Sequence, residues 1–282
     1  MQLTERRFMF HGSVVGLAGH IRRSQNTIFP VKGSLVVPST GGYANVEHQR
    51  EHIPGLFSYS KISSAITADF QDKHAARERT RENPSQHPPL PTITHVNTRI
   101  EHLIIAERLT IDKVELNLIS LHHRPGQPSF SSRGSMISGL RLDGHSLKVH
   151  LDNDPFSGSL DDLSRIYQEN EELQERFFHA APKEDEDRER SPRFSLFGKS
   201  RRVPGQPEKN NEPPRIRGYV ACSLVRSMEW NGDPHPTAKI NRHIIHLPEF
   251  GYIHLGEMFI TDNYRQVTLV RAQLAQLPQL KR

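Results

Sequence analysis

The chain has 282 residues, of which 34% are hydrophobic and 7% aromatic, with 37 Lys and Arg against 32 Asp and Glu and a net charge of +5. That length admits one large β domain or two small ones, and the shortage of apolar residues points to long polar insertions around an ordinary core. A single cysteine, Cys222, excludes an intrachain disulfide, no apolar run reaches the length of a membrane-spanning helix, and the interspersed carboxylates make polyanion binding permitted but not implied.

At the N-terminus, Arg6-Arg7 ahead of Phe8-Met9-Phe10 has the outline of an export signal. His11 and His20 interrupt the apolar run, however, and Arg22-Arg23 closes it. Phe8/Phe10 and Val15/Leu17/Ile21 alternate as strand faces do, so residues 6–21 are expected to form the first strand or strand pair. A cytoplasmic location is favoured over export by an atypical route.

Residues 33–38 predict a short strand stopped by Pro38, and Ser39 to Gly42 a turn. An edge strand over 43–47 and a strand pair over 56–70 follow. Residues 71–92, charged and then proline-rich, read as the first insertion.

The stretch 96–120 has no Gly or Pro and is dense in Ile, Leu and Val. It reads as strand, bulge or turn, strand. Leu109 and Ile111 have one parity and Val114, Leu116 and Leu118 the other, so the face must switch at Asp112-Lys113. A bulge suits that switch better than a hairpin, because Asp-Lys supplies positive φ poorly. Residues 122–134 read as a second loop. Over 136–152 the pattern predicts a hairpin turning at Asp143-Gly144, with Leu140 and Leu142 facing Leu147, Val149 and Leu151.

Ser159, with Asp161 and Asp162 behind it, is placed to cap an amphipathic helix over about 159–181 that ends at Pro182. Residues 183–216 form the third and longest polar insertion. Strand pattern resumes at Tyr219 to Val225, reaching Met228 and Trp230, and ends in three strands over 242–247, 251–260 and 265–274. The whole is expected to be one domain over 1–282, mainly β, an antiparallel sandwich or barrel-like core.

Motifs that would carry chemistry are weak. His48 and His52 would share a face only on a helix. His243 and His246 would point to opposite faces of a strand. His150, Asp152 and Asp154 share a strand face and could meet a cation. Asp143, Asp152, Glu249 and Glu257 are candidates for paired carboxylates, and Tyr43, Tyr59, Trp230 and Tyr252 for stacking on a sugar, with core packing the simpler role. Phe156 to Leu160 lacks the glycines of a nucleophile elbow, and Gly198-Lys199-Ser200 lacks the upstream glycine of a phosphate loop. Cys222 reads as a buried strand residue. Catalytic residues stay unassigned, and no cofactor or metal is expected.

The motif order has a family likeness. Val96-Asn97 leads to Ile100, Leu103 and Ile105. Leu109-Thr110, Asp112 and Val114 follow, then Gly139-Leu140, Leu142 and Gly144. Leu247-Pro248, Phe250-Gly251, Ile253 and Leu255-Gly256-Glu257 come next, and Val267 to Ala272 closes the series. This resembles uncharacterised bacterial β-rich domains of the choice-of-anchor P type. The resemblance implies a β-rich fold and bacterial origin, with no assigned activity and no site residues. The expected function is a non-enzymatic β-rich binding or structural protein, with a protein partner or self-association. The alternatives are an enzyme acting on a carbohydrate or ester and a polyanion-binding protein.

Overall fold

Alternating burial along β-branched and leucine-rich segments generates the architecture, and every described element is a strand. The structure is a computed structural model that describes residues 12–21, 30–38, 40–70, 91–122, 128–151, 158–159, 219–261 and 265–274. In chain order the strands are β1 (Gly12–Ile21), β2 (Leu35–Val36), β3 (Gly42–Ile53), β4 (Phe57–Phe70), β5 (Thr92–Ile105), β6 (Leu109–His122), β7 (Pro128–Ser131), β8 (Met136–Ser138), β9 (Arg141–Leu142), β10 (His145–Leu151), β11 (Gly158–Ser159), β12 (Tyr219–Ser223), β13 (Val225–Trp230), β14 (Lys239–Asn241), β15 (Ile244–Leu247), β16 (Gly251–Thr261) and β17 (Arg265–Leu274).

They form two open sheets. The first runs β14-β15-β16-β17-β1-β2, with β12 also on β16. The second runs β13-β10-β9-β6-β5-β4-β3, with β7 and β8 on β6 and β11 on β7. Pairing is antiparallel except between β1 and β17, which run parallel. The sheets do not close into a barrel. β1 lies over β4 and β5, and β17 over β5 and β6. One hydrophobic cluster joins them, with Val14, Leu17, Val267 and Leu269 meeting Ile62, Ile66, Val96, Ile100 and Leu116. Ser64 is buried in this core yet satisfied, donating to the Gly33 carbonyl at 2.8 Å and sharing a 2.8 Å hydrogen bond with Thr98. The chain crosses between sheets at Leu224, whose N–H donates to the Gly256 carbonyl.

The parity switch at Asp112-Lys113 is present, but it is neither a hairpin nor a simple bulge. β6 continues through it, and the turn lies earlier, at Ala106 and Glu107, both with positive φ. Partner pairs on either side of Asp112, such as Leu103–Ile111 and Glu101–Lys113, keep one register. The reason is that β5 switches its buried face at His102, directly opposite. β4 switches at Ser60 and β3 at Arg50, again with no slip between neighbours. Four strands therefore change face along one row. A bulge in a single strand would shift its partners by one residue; four aligned ones cancel.

The first sheet carries a matching row of opposite sense. Here two consecutive residues turn inward, Gly16-Leu17 in β1, Leu255-Gly256 in β16 and Leu269-Val270 in β17, while the registers on both sides agree. Two inward residues in succession crowd the core, and glycine relieves that. A Cβ on Gly16 would lie 2.9 Å from Ile62 Cγ2.

Several expectations are corrected. The segment 56–70 is one strand, β4, not a pair. The first insertion stops short of Thr92, which begins β5. The second loop contains β7, whose Phe130 is buried while Ser129 and Ser131 pair with Leu121 and Ile119. The predicted helix over 159–181 lies outside the described residues except at its proposed cap, and there Ser159 is in a strand, paired with Ser129. No helix occurs among the described residues. The insertion at 183–216 and nearly all of 71–92 also lie outside them. The turn at Asp143-Gly144 forms as expected, with φ of 49° and 84°, but the predicted hairpin over 136–152 shrinks to the pairs Leu142–His145 and Arg141–Ser146, since β8 pairs with β6 and the rest of β10 with β13. The three final strands lie within two residues of their predicted bounds.

Candidate functional site

The inward row in β16 decides which side chains meet outside. In a flat strand, residues three apart point to opposite faces. Because both Leu255 and Gly256 (φ 64°) turn inward, His254 and Glu257 emerge on the same outer face. Arg271 of β17, paired with His254, joins them for the same reason, since Leu269-Val270 both turn inward. The turn ahead of β15 then lays His243 over the group, fixed by a hydrogen bond from the Leu255 N–H to the His243 carbonyl.

Arg271 donates from Nε and Nη2 to the two Glu257 oxygens at 2.7 and 2.6 Å. Glu257 Oε1 lies 3.5 Å from His254 Nδ1 and 4.0 Å from His243 Nε2. His254 and His243 are buried, at 3% and 7% exposure. Burial opposes ionisation of Glu257, but the forked Arg271 contact and its charge, helped by the two histidines, outweigh that and hold the carboxyl at about 2.

The second polar cluster lies on the outer face of the other sheet, along its own row. An open groove of about 300 Å³ is lined by Arg50, His52, Ser58, Tyr59, Ser60 and His102. Ser60 Oγ is 3.0 Å from His102 Nδ1 and also donates to the Glu101 carbonyl at 3.0 Å. A hydroxyl has one proton. With that proton on the Glu101 carbonyl, His102 acts as donor to Ser60, the reverse of what a nucleophile needs from its base. At the groove's inner rim, Tyr59 donates to Glu51, which also binds Lys32 at 2.8 Å. Lys32 and then Tyr59 lower the Glu51 pKa; burial and Glu51 together raise that of Tyr59.

The third cluster surrounds the Asp143 turn. Arg108 forks onto Asp143, and His235 Nε2 lies 2.9 Å from its Oδ2. His235 Nδ1 accepts from the Ala238 N–H at 3.1 Å, which assigns the proton of the neutral ring to Nε2, facing Asp143. Arg108 first, and His235 against the opposing effect of burial, lower the Asp143 pKa. Its stabilising contribution is thus fully present above the ordinary value of 3.8 and fades as pH falls through the lower folded value. Asp143→Asn is expected to cost about 0.5–1 kcal/mol at pH 7 by urea denaturation, a difference that shrinks below pH 4. An equal cost at pH 3 would refute the ion-pair origin.

The residues singled out in sequence separate accordingly. His48 and His52 lie on a strand whose face switches between them, so they do not meet. His246 stacks on Tyr252 with centroids 4.4 Å apart, and it is His243 that joins a cluster. His150 hydrogen-bonds Glu229 at 2.8 Å, while Asp152 and Asp154 lie outside the described residues. Asp143 and Glu257 are each clamped by an arginine, and Glu249 sits in a turn with φ 66°, so these carboxylates do not pair with one another. Tyr59 is buried, Trp230 packs beside His145 and His235, and Tyr43 is 65% exposed on β3. Cys222 lies in β12. His254 and Arg271 were missed, because period-two reading separates them from Glu257. Adjacent inward residues around Gly256 were the signal available.

No helix among the described residues is long and apolar enough to cross a membrane. No curated protein and no solved structure shows significant similarity to the chain. A family profile described as Domain of unknown function (DUF8256) matches residues 8–261, and the chain belongs to that family.

Proposed function

We propose that the protein is a non-enzymatic β-rich binding or structural domain that recruits a protein strand, in the first instance from a second copy, along β3. The observation that carries this reading is the position of β3 at the end of its sheet. It is 12 residues long, pairs in unbroken register with β4, and has no strand hydrogen-bonded to its other side among the described residues. Such an edge presents a row of backbone donors and acceptors to an incoming strand. Glu47, Gln49, Arg50 and His52 are exposed along it, which favours a matched partner over indiscriminate pairing, and Tyr43 offers an apolar anchor.

The ionisable groups support a structural role. Glu51, Glu115, Asp143, Glu229 and Glu257 all have lowered pKa values, each with a hydrogen-bonded cationic or histidine partner. A general acid working near neutrality needs the opposite shift. The β-rich fold is what the likeness to bacterial choice-of-anchor P domains implies, and the long polar insertions depart from that pattern.

Sedimentation equilibrium and hydrogen exchange test the proposal. Mass is expected to rise with concentration while β3 amides become slower to exchange, and Tyr43→Asp is expected to return the protein to monomer. A monomer at millimolar concentration with unchanged β3 exchange would remove self-pairing. Turnover of an ester or oligosaccharide abolished by Ser60→Ala would establish the enzymatic alternative. Binding to a polyanion that weakens steeply with salt would favour the third reading.

A further inference from the structure

We propose that His243, His254 and Glu257 form a binding site for one divalent transition-metal ion, for which Zn2+ serves as the probe. The proposal goes beyond strand recruitment and does not depend on it. Three potential ligand atoms, one from each residue, lie within 4.8 Å of one another. In a tetrahedral zinc site with metal–ligand distances near 2.0–2.1 Å, ligand atoms are about 3.3 Å apart. The observed 3.5 and 4.0 Å separations from Glu257 Oε1 are close to that spacing.

The donor set selects the metal class. Two imidazoles and one carboxylate suit Zn2+, and also Fe2+, Co2+, Ni2+ and Cu2+. Calcium and magnesium prefer sites made entirely of oxygen, and copper(I) prefers thiolates. Residue burial favours such a site over the scattered surface histidines, since desolvated ligands have less water to lose.

Arg271 bears on the site in two ways. Its forked contact aims the Glu257 carboxylate, as hydrogen-bonding partners of metal ligands commonly do. Each carboxylate oxygen has two acceptor positions, so the contact leaves Oε1 able to bind a metal. Its charge also opposes a dication, so the dissociation constant is expected at around 10 μM, far weaker than in a zinc finger. Three protein ligands leave a fourth position for water. The ion would fasten the turn before β15 onto β16, so its first effect is on stability.

The test uses the full chain without a histidine tag, stripped with chelator and titrated with ZnCl2 by calorimetry. One ion per chain is expected, with a rise in Tm. His243→Gln and Glu257→Gln should each weaken binding at least tenfold. His246→Gln, three residues away and stacked on Tyr252, should leave it unchanged. Absence of binding at 100 μM Zn2+, binding indifferent to the first two substitutions, or equal loss in His246→Gln would overturn the site. Should the ligand variants fail to fold, X-ray absorption of the zinc-loaded wild type decides. A first shell containing two imidazoles sustains the assignment, and one without them ends it.

Discussion

Replacing Leu116 with asparagine is expected to cost about 4 kcal/mol of stability, a large fraction of the roughly 5–15 kcal/mol that holds a native domain together. Leu116 is fully buried in β6, near the middle of the cluster that joins the sheets, and its Cδ1 would lie 3.7 Å from a Cβ on Gly256. Truncating such a leucine typically costs 2–5 kcal/mol through lost transfer energy and a cavity. The amide adds the cost of a polar group without designed partners. Equilibrium urea denaturation measures it. An unchanged midpoint in a soluble variant would show that Leu116 is not in the core.

Gly139→Ala is expected to be nearly as damaging, at about 3 kcal/mol. Gly139 lies beside Asp112 where the outward row reaches the join between β8 and β9, with φ 66°. An added Cβ would overlap the Asp112 side chain, lying 2.5 Å from its Cβ. Rotating the carboxylate cannot relieve a contact with a Cβ. The left-handed backbone contributes about 1–2 kcal/mol and the overlap the rest. The two parts separate by double substitution. In the Gly139→Ala background, Asp112→Gly should recover much of the loss, whereas Asp112→Ala, which keeps the Cβ, should recover little. Equal recovery by both would assign the damage to the carboxylate instead.

The strands were legible in sequence wherever burial alternates cleanly. The hairpin at Asp143-Gly144, the strands from Gly251 and Arg265, and the switch at Asp112 all follow from residue type alone. β7 was not, because Ser129, Ser131 and Ser132 mask the alternation around Phe130. The span of β4 was cut in two because Phe57 and Tyr59 have one parity and Ile62 and Ile66 the other. A switch in one strand is visible in sequence; that His102, Ser60 and Arg50 line up with it depends on strand register, which at the Ser60–His102 step joins residues 42 apart. The His243–His254–Glu257 group was hidden for a local reason, since its members converge only when Leu255 and Gly256 both turn inward, and strict alternation places His254 and Glu257 on opposite faces.

The aligned face changes behave like a line defect in a crystal. Such a line cannot stop within the lattice without leaving neighbouring rows out of step, so it must run on until it meets a boundary. From Asp112 the line passes through His102 and Ser60 and leaves at Arg50, on the edge strand. Loss of one residue at any of these positions would therefore invert every side chain on one arm of that strand while its neighbours stayed in place. Loops at the sheet ends can lengthen or shorten freely, but the distance from each turn to the line is quantised. Length variation among relatives of this chain is therefore expected to be confined to the loops, with the strand segments on either side of the line constant in length, and aligned family sequences test this directly.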